Sequence, residues 1–354
     1  MITSLSIDLL VHTFEYLSPL ELRAVAIVCK TFASVPTGYL WEAHFRQQWN
    51  QHNFILESSD TLILSEMLEK LYPLKSDCFR WLTHIVAPVP SYADIQHTNV
   101  LANLSRNHRI EPVAYDHNTR SRVMKMALDK DSVGGNRSVR ANVPYEIGPH
   151  VQILPLSKGK WLVDIVRDGY FEITVQNNLM SNPLPNSLMC VVLGLGTKDF
   201  HVIGYQPGWD DQSLGYHSDD GRFFSHGTSR PFSSGFDVGD TIGCGIIRKE
   251  NFTQVYFTQN GKRIEPEFTC PSTPLYPIVG LDAAFTITLN CGSFPFMYDP
   301  QYENDKDDII MLQNAPWPQM KCRPSIWSNI NMLYLPCAIA ALYILLQINP
   351  QLYV

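Results

Sequence analysis

The sequence predicts a multidomain α + β protein in which a small all-α N-terminal domain and a helical or irregular middle region precede an antiparallel β-sandwich. Between residues 204 and 296, short apolar stretches alternate with turns rich in Gly and Asp, as in antiparallel strands. Before residue 90, apolar side chains recur at helical spacing instead. With 354 residues, 45% of them hydrophobic, the chain can form about two to three domains with buried cores.

The composition narrows the classes of function. The net charge is -7, and no cluster of Lys and Arg interleaves with aromatic residues, which argues against nucleic acid as a partner. Eight cysteines are scattered along the chain without the paired spacings of a disulfide framework or a zinc site. The sequence does not begin with the pattern of a secretory signal. We therefore expect a cytoplasmic or nuclear protein with reduced cysteines and without a metal or cofactor.

Three short helices are predicted at the N-terminus. Leu10, Phe14 and Leu17 recur at the spacing that places side chains on one face of a helix. Residues 18–21 read Ser-Pro-Leu-Glu, which combines capping-box spacing with proline at the first helical position. An aromatic residue recurs every four positions between residues 41 and 49. Helices this short are unstable alone, so we expect them to share one small core.

The order of landmarks in residues 1–50 resembles an F-box. Leu5-Ser-x-Asp8, Val28-Cys-Lys-x-Phe32 and Leu40-Trp41 follow one another as in that family, although Ser6 stands where a proline is usual. The resemblance implies docking onto the Skp adaptor and, through it, a cullin of a ubiquitin ligase. It divides ten positions between the F-box core and the adaptor interface, namely Leu5, Leu9, Leu10, Phe14, Leu17, Leu22, Val28, Cys29, Leu40 and Trp41. Apolar periodicity alone would also fit an ordinary helical hairpin packed on the rest of the chain.

Residues 51–140 are predicted to be a helical region followed by a linker. A helical pattern runs from Thr61 to Leu71, and a second covers residues 78–86. Mixed charges and two adjacent glycines between residues 130 and 140 favour a mobile linker. The region either sets the distance between the two ends of the chain or extends the N-terminal domain structurally.

The strands of the sandwich are expected within residues 141–300. Residues 161–166 and 170–175 are short apolar strands, and the second alternates regularly between two faces. The nearly continuous apolar run at 189–195 suits a strand covered on both faces. Asn260-Gly261 predicts a type I′ hairpin turn, which requires positive φ at two successive residues.

Within this region, the series Pro207-Gly-Trp209, Gly215-Tyr-His217, Asp219-Asp-Gly221 and Gly239-Asp-x-Ile-Gly243 resembles a SPRY domain of the kind found in Ran-binding protein M. The resemblance implies a β-sandwich whose loops bind a peptide or protein. Fold alone does not identify that target.

The densest polar cluster favours recognition over catalysis. A histidine with two carboxylates, as at residues 217–220, can supply an acid, a base or metal ligands. Asp and Gly at this density also form tight turns, and no nucleophile motif accompanies them. We therefore predict no catalytic residue and no metal ligand. The predicted target-binding residues are Trp209, Asp210, Asp211, Tyr216, His217 and Arg222, with core and contact roles equally open for Tyr216.

The segment 301–354 ends in an apolar stretch. Residues 332–346 are uninterrupted by polar side chains, but they are fewer than the roughly 20 that span a bilayer. Extending the stretch to 326–346 reaches that length and includes two Asn and one Ser. Lys321 and Arg323 upstream would keep the preceding chain in the cytosol. The stretch is a tail anchor, a helix packed against the other domains, or an error in the gene model.

Together the two resemblances imply a non-catalytic substrate-recognition subunit of a Skp-cullin-F-box ubiquitin ligase. Such a subunit acts by proximity, because it holds a target beside an enzyme carried elsewhere in the assembly. The alternative is a SPRY adaptor or scaffold outside any ligase, with structural N-terminal helices and a membrane tether in the C-terminal tail.

Overall fold

The structure is a computed structural model that describes residues 37–92, 110–114, 124–128, 133–178, 189–300, 302, 309–310 and 312–313. The chain divides into two compact units, of which one comprises residues 1–44 with 316–354 and the other residues 45–315. Only residues 37–44 of the first unit are described. The predicted helices before residue 37 and the apolar tail at 326–346 therefore lie outside the described residues.

Three helices have bounds within the described residues, α1 (Thr37–His52), α2 (Glu66–Leu71) and α3 (Lys75–Ile85), and residues 309–310 and 312–313 are also helical. The described residues also contain sixteen strands: β1 (Thr61–Leu64), β2 (Ile110–Ala114), β3 (Met124–Leu128), β4 (Val133–Arg140), β5 (His150–Ser157), β6 (Lys160–Val166), β7 (Gly169–Asn178), β8 (Val191–Gly196), β9 (Ser213–His217), β10 (Arg222–Ser225), β11 (Thr228–Pro231), β12 (Thr241–Arg248), β13 (Phe252–Gln259), β14 (Lys262–Pro271), β15 (Tyr276–Ala283) and β16 (Phe285–Asn290).

Two antiparallel sheets form the predicted β-sandwich. One has six strands in the order β11-β10-β9-β8-β15-β4, and the other has seven in the order β14-β13-β12-β7-β16-β3-β2. Between them lies a single apolar core, to which alternate residues of the paired strands contribute. In β8, Leu193 and Leu195 belong to this core, whereas Val192 faces outward and is nevertheless buried. The outer face of the six-stranded sheet is therefore covered.

A separate module consists of the sheet β1-β6-β5 and the helices that pack near it. Phe45 on α1 lies 5.4 Å from Phe79 on α3, measured between ring centroids. Phe54 lies 5.1 Å from Trp161 on β6. The strand predicted at 161–166 thus exists, but it pairs with β1 and β5 rather than joining either sheet of the sandwich.

Two predictions for the middle region are wrong. Residues 61–64 form β1, parallel to β6, and only residues 66–71 of the predicted helix are helical. Short apolar runs fit either periodicity, and here pairing with β6 determines the outcome. Residues 133–140 are not a linker, because they form β4 and pair with β15. A strand at the border of a sheet is stabilised by backbone hydrogen bonds, which composition does not reveal.

Other local predictions are confirmed. The helix predicted at 78–86 is α3, the strand at 170–175 is β7, and the apolar run at 189–195 is the fully buried β8. Asn260 and Gly261 have φ values of 52° and 75°, as the predicted hairpin turn requires. Among the residues that the structure describes, no helix is long and apolar enough to cross a membrane.

Candidate recognition surface

A loop crosses the outer face of the six-stranded sheet. This cross-sheet loop, residues 203–209, lies so close to the strands that glycines must face it. A Cβ on Gly215 would lie 2.6 Å from the carbonyl oxygen of Pro207, and one on Gly194 would lie 2.9 Å from the Pro207 Cβ. On β15, a Cβ at Gly280 would meet the side chain of Gln206. Three glycines on adjacent strands thus form a seat for the loop.

Hydrogen bonds hold the cross-sheet loop at both ends. Near β4, the Gly204 amide donates to the Asn136 carbonyl oxygen at 2.9 Å, and the Ser138 hydroxyl donates to the Tyr205 carbonyl oxygen at 2.9 Å. At the other end, the Gly227 amide in the β10–β11 turn donates to the Gly208 carbonyl oxygen at 3.0 Å. The cross-sheet loop therefore spans the sheet with its backbone fixed at both ends.

Trp209 is the last residue of the cross-sheet loop, and its orientation is fixed by its neighbours. Gly208 has a φ of +94°, and a Cβ there would lie 2.4 Å from the Phe224 carbonyl oxygen, so only glycine fits. The Trp209 amide donates to the Gln206 carbonyl oxygen at 3.1 Å. Its ring stacks on His217 at a centroid distance of 6.2 Å and remains 39% exposed. One face of the indole therefore packs on His217, and part of the ring is exposed to solvent.

Two further apolar side chains of the loop are exposed. Ile203 is 40% exposed and Tyr205 is 42% exposed. With Trp209 they give a seven-residue loop three large apolar groups on a rigid backbone, and Trp and Tyr are among the residues that contribute most to protein interfaces. Sequence reasoning missed Ile203 and Tyr205, although the glycines that seat the loop were visible in the strands. We call Ile203, Tyr205, Trp209 and the exposed Asp211 the recognition surface.

The other predicted polar contacts mainly maintain the local structure. Asp210 is half-buried, and its Oδ1 accepts hydrogen bonds from the Ser213 hydroxyl at 2.6 Å and the Gln212 amide at 3.2 Å. The guanidinium of Arg222 donates to the Ser229 hydroxyl at 2.9 Å and to its carbonyl oxygen at 3.2 Å, across the β10–β11 hairpin. Asp211 is exposed and accepts one hydrogen bond from the neighbouring Gln212 side chain.

Tyr216 and His217 do not present their side chains to a target. Burial contradicts the contact role predicted for His217, and for Tyr216 it agrees with the core role, one of the two left open. Tyr216 is fully buried between the sheets, with Phe232 at 5.0 Å and Phe257 at 5.8 Å, and burial raises its pKa. His217 faces outward, but the cross-sheet loop covers it and leaves it 3% exposed. Burial lowers the pKa of His217, so its imidazole is neutral at pH 7. The ring supports Trp209 and is not itself a contact.

Cys190 lies next to His217, a proximity that sequence reasoning missed. The Cys190 Sγ is 3.7 Å from the His217 Nδ1 and 3.1 Å from Oδ1 of the exposed Asp219. Burial raises the pKa of the Cys190 thiol well above its ordinary value, and Asp219 and Asp282 raise it further. The free thiol is therefore protonated at pH 7 and is not an activated nucleophile.

The predicted adaptor-binding positions fall largely outside the described residues. Only Leu40 and Trp41 are described; both lie on α1 and are 3% and 8% exposed. The assignments at all ten positions stay predictions: Leu5, Leu9, Leu10, Phe14, Leu17, Leu22, Val28, Cys29, Leu40 and Trp41.

Comparison with family models gives two matches. The SPRY domain model matches residues 169–294. The F-box domain model matches residues 2–38. The first range includes the strands β7 to β16 and the whole cross-sheet loop. Both matches confirm the resemblances predicted from sequence.

Curated relatives resemble the chain over part of its length. Ran-binding protein 9 of Xenopus tropicalis is 38% identical over 109 residues, which is 30% of this chain and 19% of that protein. SPRY domain-containing protein 3 of Pongo abelii is 31% identical over 142 residues, 38% of this chain and 28% of that protein. The chain thus spans less than a third of the length of either relative.

Among solved structures, a crystal structure of a human SPRY domain is 24% identical and covers 51% of this chain and 96% of its own, with a TM-score of 0.36. The domains are identified by the family-model matches. The chain has an F-box at residues 2–38 and a SPRY domain at residues 169–294, the latter related to Ran-binding proteins 9 and 10.

Proposed function

We propose that this protein is a substrate-recognition subunit of a Skp-cullin-F-box ubiquitin ligase. The observation that carries the proposal is the presence in one chain of an F-box match and a SPRY domain with an exposed, rigidly seated loop. Under this proposal residues 1–50 dock on the Skp adaptor, and the SPRY sandwich captures the target. Neither role requires a catalytic residue, because the effect is to raise the local concentration of a target near the ligating enzyme.

The recognition surface is the part of the SPRY domain best suited to hold a target. Its backbone is fixed by the glycine seat and by hydrogen bonds at both ends, so binding a partner costs little ordering of the loop. Its large side chains are already exposed. Asp211 adds a negative charge at the edge, which favours a target segment with a basic or hydrogen-bond-donating residue beside an apolar one.

The proposal is tested with the full chain, purified from eukaryotic cells, and two variants that separate its functions. Leu10→Asp with Phe14→Asp is expected to abolish co-purification of the Skp adaptor and cullin while retaining proteins held by the SPRY domain. Trp209→Ala is expected to do the reverse. Phe252→Ala provides a matched control, because Phe252 is 42% exposed on β13 and outside the recognition surface.

The outcomes discriminate between the two roles. If adaptor and cullin do not co-purify with the unmodified chain, or co-purify equally well with the double variant, the ligase role is wrong. If Trp209→Ala retains every partner that Phe252→Ala retains, the cross-sheet loop is not the target site. Loss of all partners in both variants would indicate misfolding, which circular dichroism of the purified proteins would detect.

A SPRY adaptor that works outside a ligase is the second candidate. It is favoured by the curated relatives, which match this chain at the level of the SPRY domain. The same co-purification identifies it, since target proteins would then appear without adaptor or cullin. We propose a cytoplasmic or nuclear location, in keeping with the buried free thiols of Cys78, Cys190 and Cys244. The alternative, for the adaptor, is a tail anchored in a membrane with the rest of the chain facing the cytosol.

A further inference from the structure

One end of the outer face of the six-stranded sheet carries a thiol–imidazole cluster, which consists of Cys190, His217 and Asp219. Cys190 immediately precedes β8, His217 ends β9, and Asp219 lies in the turn to β10. We propose that these three residues form a binding site for a soft divalent transition metal ion, with Zn²⁺ as the chemically best-suited ion. This site is independent of the proposed ligase role.

The spacing of the ligand atoms suits one tetrahedral ion. The three atoms all lie within 4.8 Å of one another. Tetrahedral zinc with ordinary bond lengths would separate its sulfur and nitrogen ligands by about 3.6 Å, and the distance from Cys190 Sγ to His217 Nδ1 is 3.7 Å. Asp219 is on the surface, so its carboxylate can adjust from the 3.1 Å contact with the thiol. Three protein ligands leave a fourth position for water.

The imidazole already has the protonation that a metal ligand needs. The His217 Nε2 lies 3.0 Å from the Pro207 carbonyl oxygen. A carbonyl oxygen only accepts, so Nε2 carries the proton and the lone pair of the neutral ring is on Nδ1, toward Cys190. A backbone carbonyl that fixes the far nitrogen is the usual outer-shell arrangement of metal-bound histidine.

The local charge also favours a cation. Asp282 receives a hydrogen bond from the Cys190 amide, and Oδ1 of Asp219 lies 3.1 Å from the Cys190 Sγ. Two carboxylates therefore lie beside the thiol. A metal ion would relieve the repulsion between them. On binding, the Cys190 thiol releases its proton to solvent, and the thiolate and the Asp219 carboxylate together balance the two charges of the ion.

The ligand types select the kind of metal. Thiolate and imidazole are preferred by zinc and similar ions, whereas Mg²⁺ and Ca²⁺ prefer sites made of oxygen ligands. Access is through Asp219, because Cys190 and His217 are 4% and 3% exposed. This proposal departs from the prediction of no metal ligand made from the sequence, which could not place Cys190 beside the other two residues because more than twenty residues separate them.

The test uses the full chain, stripped with a chelator and then titrated with ZnCl₂ against a competing chromophoric chelator. The chain has other cysteines and histidines, so the informative quantity is the difference between matched variants. Asp219→Asn removes a ligand, whereas Asp220→Asn changes the adjacent exposed carboxylate, which accepts a hydrogen bond from the Arg222 amide and is not one of the three proposed ligands. Likewise Cys190→Ser is compared with Cys270→Ser, because Cys270 is a half-buried free cysteine on β14.

We expect one zinc-binding event that both controls retain. Cys190→Ser and Asp219→Asn should each weaken zinc binding by at least roughly 10- to 100-fold, because loss of a mere outer-shell partner already costs that much. With CoCl₂ as a probe, thiolate-to-cobalt absorption should appear and should be absent in Cys190→Ser. The proposal is overturned if Asp219→Asn binds zinc as tightly as Asp220→Asn, or if cobalt gives no thiolate absorption that depends on Cys190. Asp219 is exposed, so we expect Asp219→Asn to fold normally. The comparison of Asp219→Asn with Asp220→Asn therefore tests the site even if Cys190→Ser misfolds.

Discussion

The two faces of the six-stranded sheet are covered in different ways. The inner face packs against the other sheet through large side chains such as Tyr216, Phe223 and Val279. The outer face carries Gly194 and Gly215 opposite each other in the register, and the cross-sheet loop occupies the space that side chains would fill.

This difference separates stability from recognition. A core of interlocking side chains cannot change without loss of packing. A loop that packs on glycines of a sheet can carry different solvent-exposed side chains without a change in its own backbone conformation. We therefore expect substitutions on the inner face to affect folding, and substitutions at the exposed positions of the loop to affect binding.

The largest effect is expected inside the sandwich. Phe257 is fully buried and contacts Tyr216, Phe223 and Phe268 at centroid distances of 5.8 to 6.1 Å. Phe257→Ala should lower the free energy of unfolding by about 3–5 kcal/mol, because it removes a large side chain and leaves a cavity. Urea unfolding followed by tryptophan fluorescence measures this change. The exposed Phe252 on the same strand is the control, and equal losses for both alanine variants would contradict the inner-face interpretation.

A pH-dependent effect is expected at the edge of the outer face. Burial and Asp219 raise the pKa of Asp282 from 3.8 to about 6 in the folded state. The folded protein therefore binds a proton that the unfolded chain releases between these values, and the stabilisation is complete below pH 3.8 and lost as the pH rises through 6. Relative to Asp282→Asn, the unmodified protein should gain at most about 3 kcal/mol as the pH falls across this window.

This comparison is made in the presence of a chelator, with urea unfolding at a series of pH values. His217 titrates in both proteins, and burial lowers its pKa, so acid destabilises both through that residue. A difference between the two proteins that stays constant from pH 7 to pH 4 would show that the Asp282 carboxyl is not perturbed.

An intermediate effect is expected at the seat of the loop. In Gly215→Ala, the new Cβ would lie 2.6 Å from the Pro207 carbonyl oxygen and 2.9 Å from the Val192 side chain, so the loop must shift. Overpacking of this kind costs about 1–3 kcal/mol. Gly148→Ala is the control, because nothing lies within 4 Å of a Cβ there. Thermal unfolding of both variants measures the difference, and equal melting temperatures would mean that the loop does not rest on the glycines.

The sequence predicted the strands of the sandwich better than the surface they carry. Alternation identifies an inward Phe171 or Ile173 in β7, because burial on one face repeats every second residue. The Gly-Tyr-His motif combines an outward glycine, an inward tyrosine and an outward histidine, and their environments depend on the loop above and the sheet below. The proximity of Cys190 to His217 arises from the pairing of β8 with β9, which local pattern does not encode.

The smallest stability effects, with the largest effects on binding, are expected at Trp209 and Asp211. Trp209→Ala removes a ring that is 39% exposed and rests on His217, so the free energy of unfolding should change by about 1 kcal/mol or less. Asp211→Ala should change it by less than about 0.5 kcal/mol, as is usual for an exposed residue.

For a captured target, Trp209→Ala should weaken binding at least about 30-fold, as expected for a central interface aromatic, and Asp211→Ala by less. Unfolding curves and binding isotherms of the same preparations test both statements, and a Trp209 variant that unfolds like Phe257→Ala while binding normally would reverse the roles assigned to the two faces.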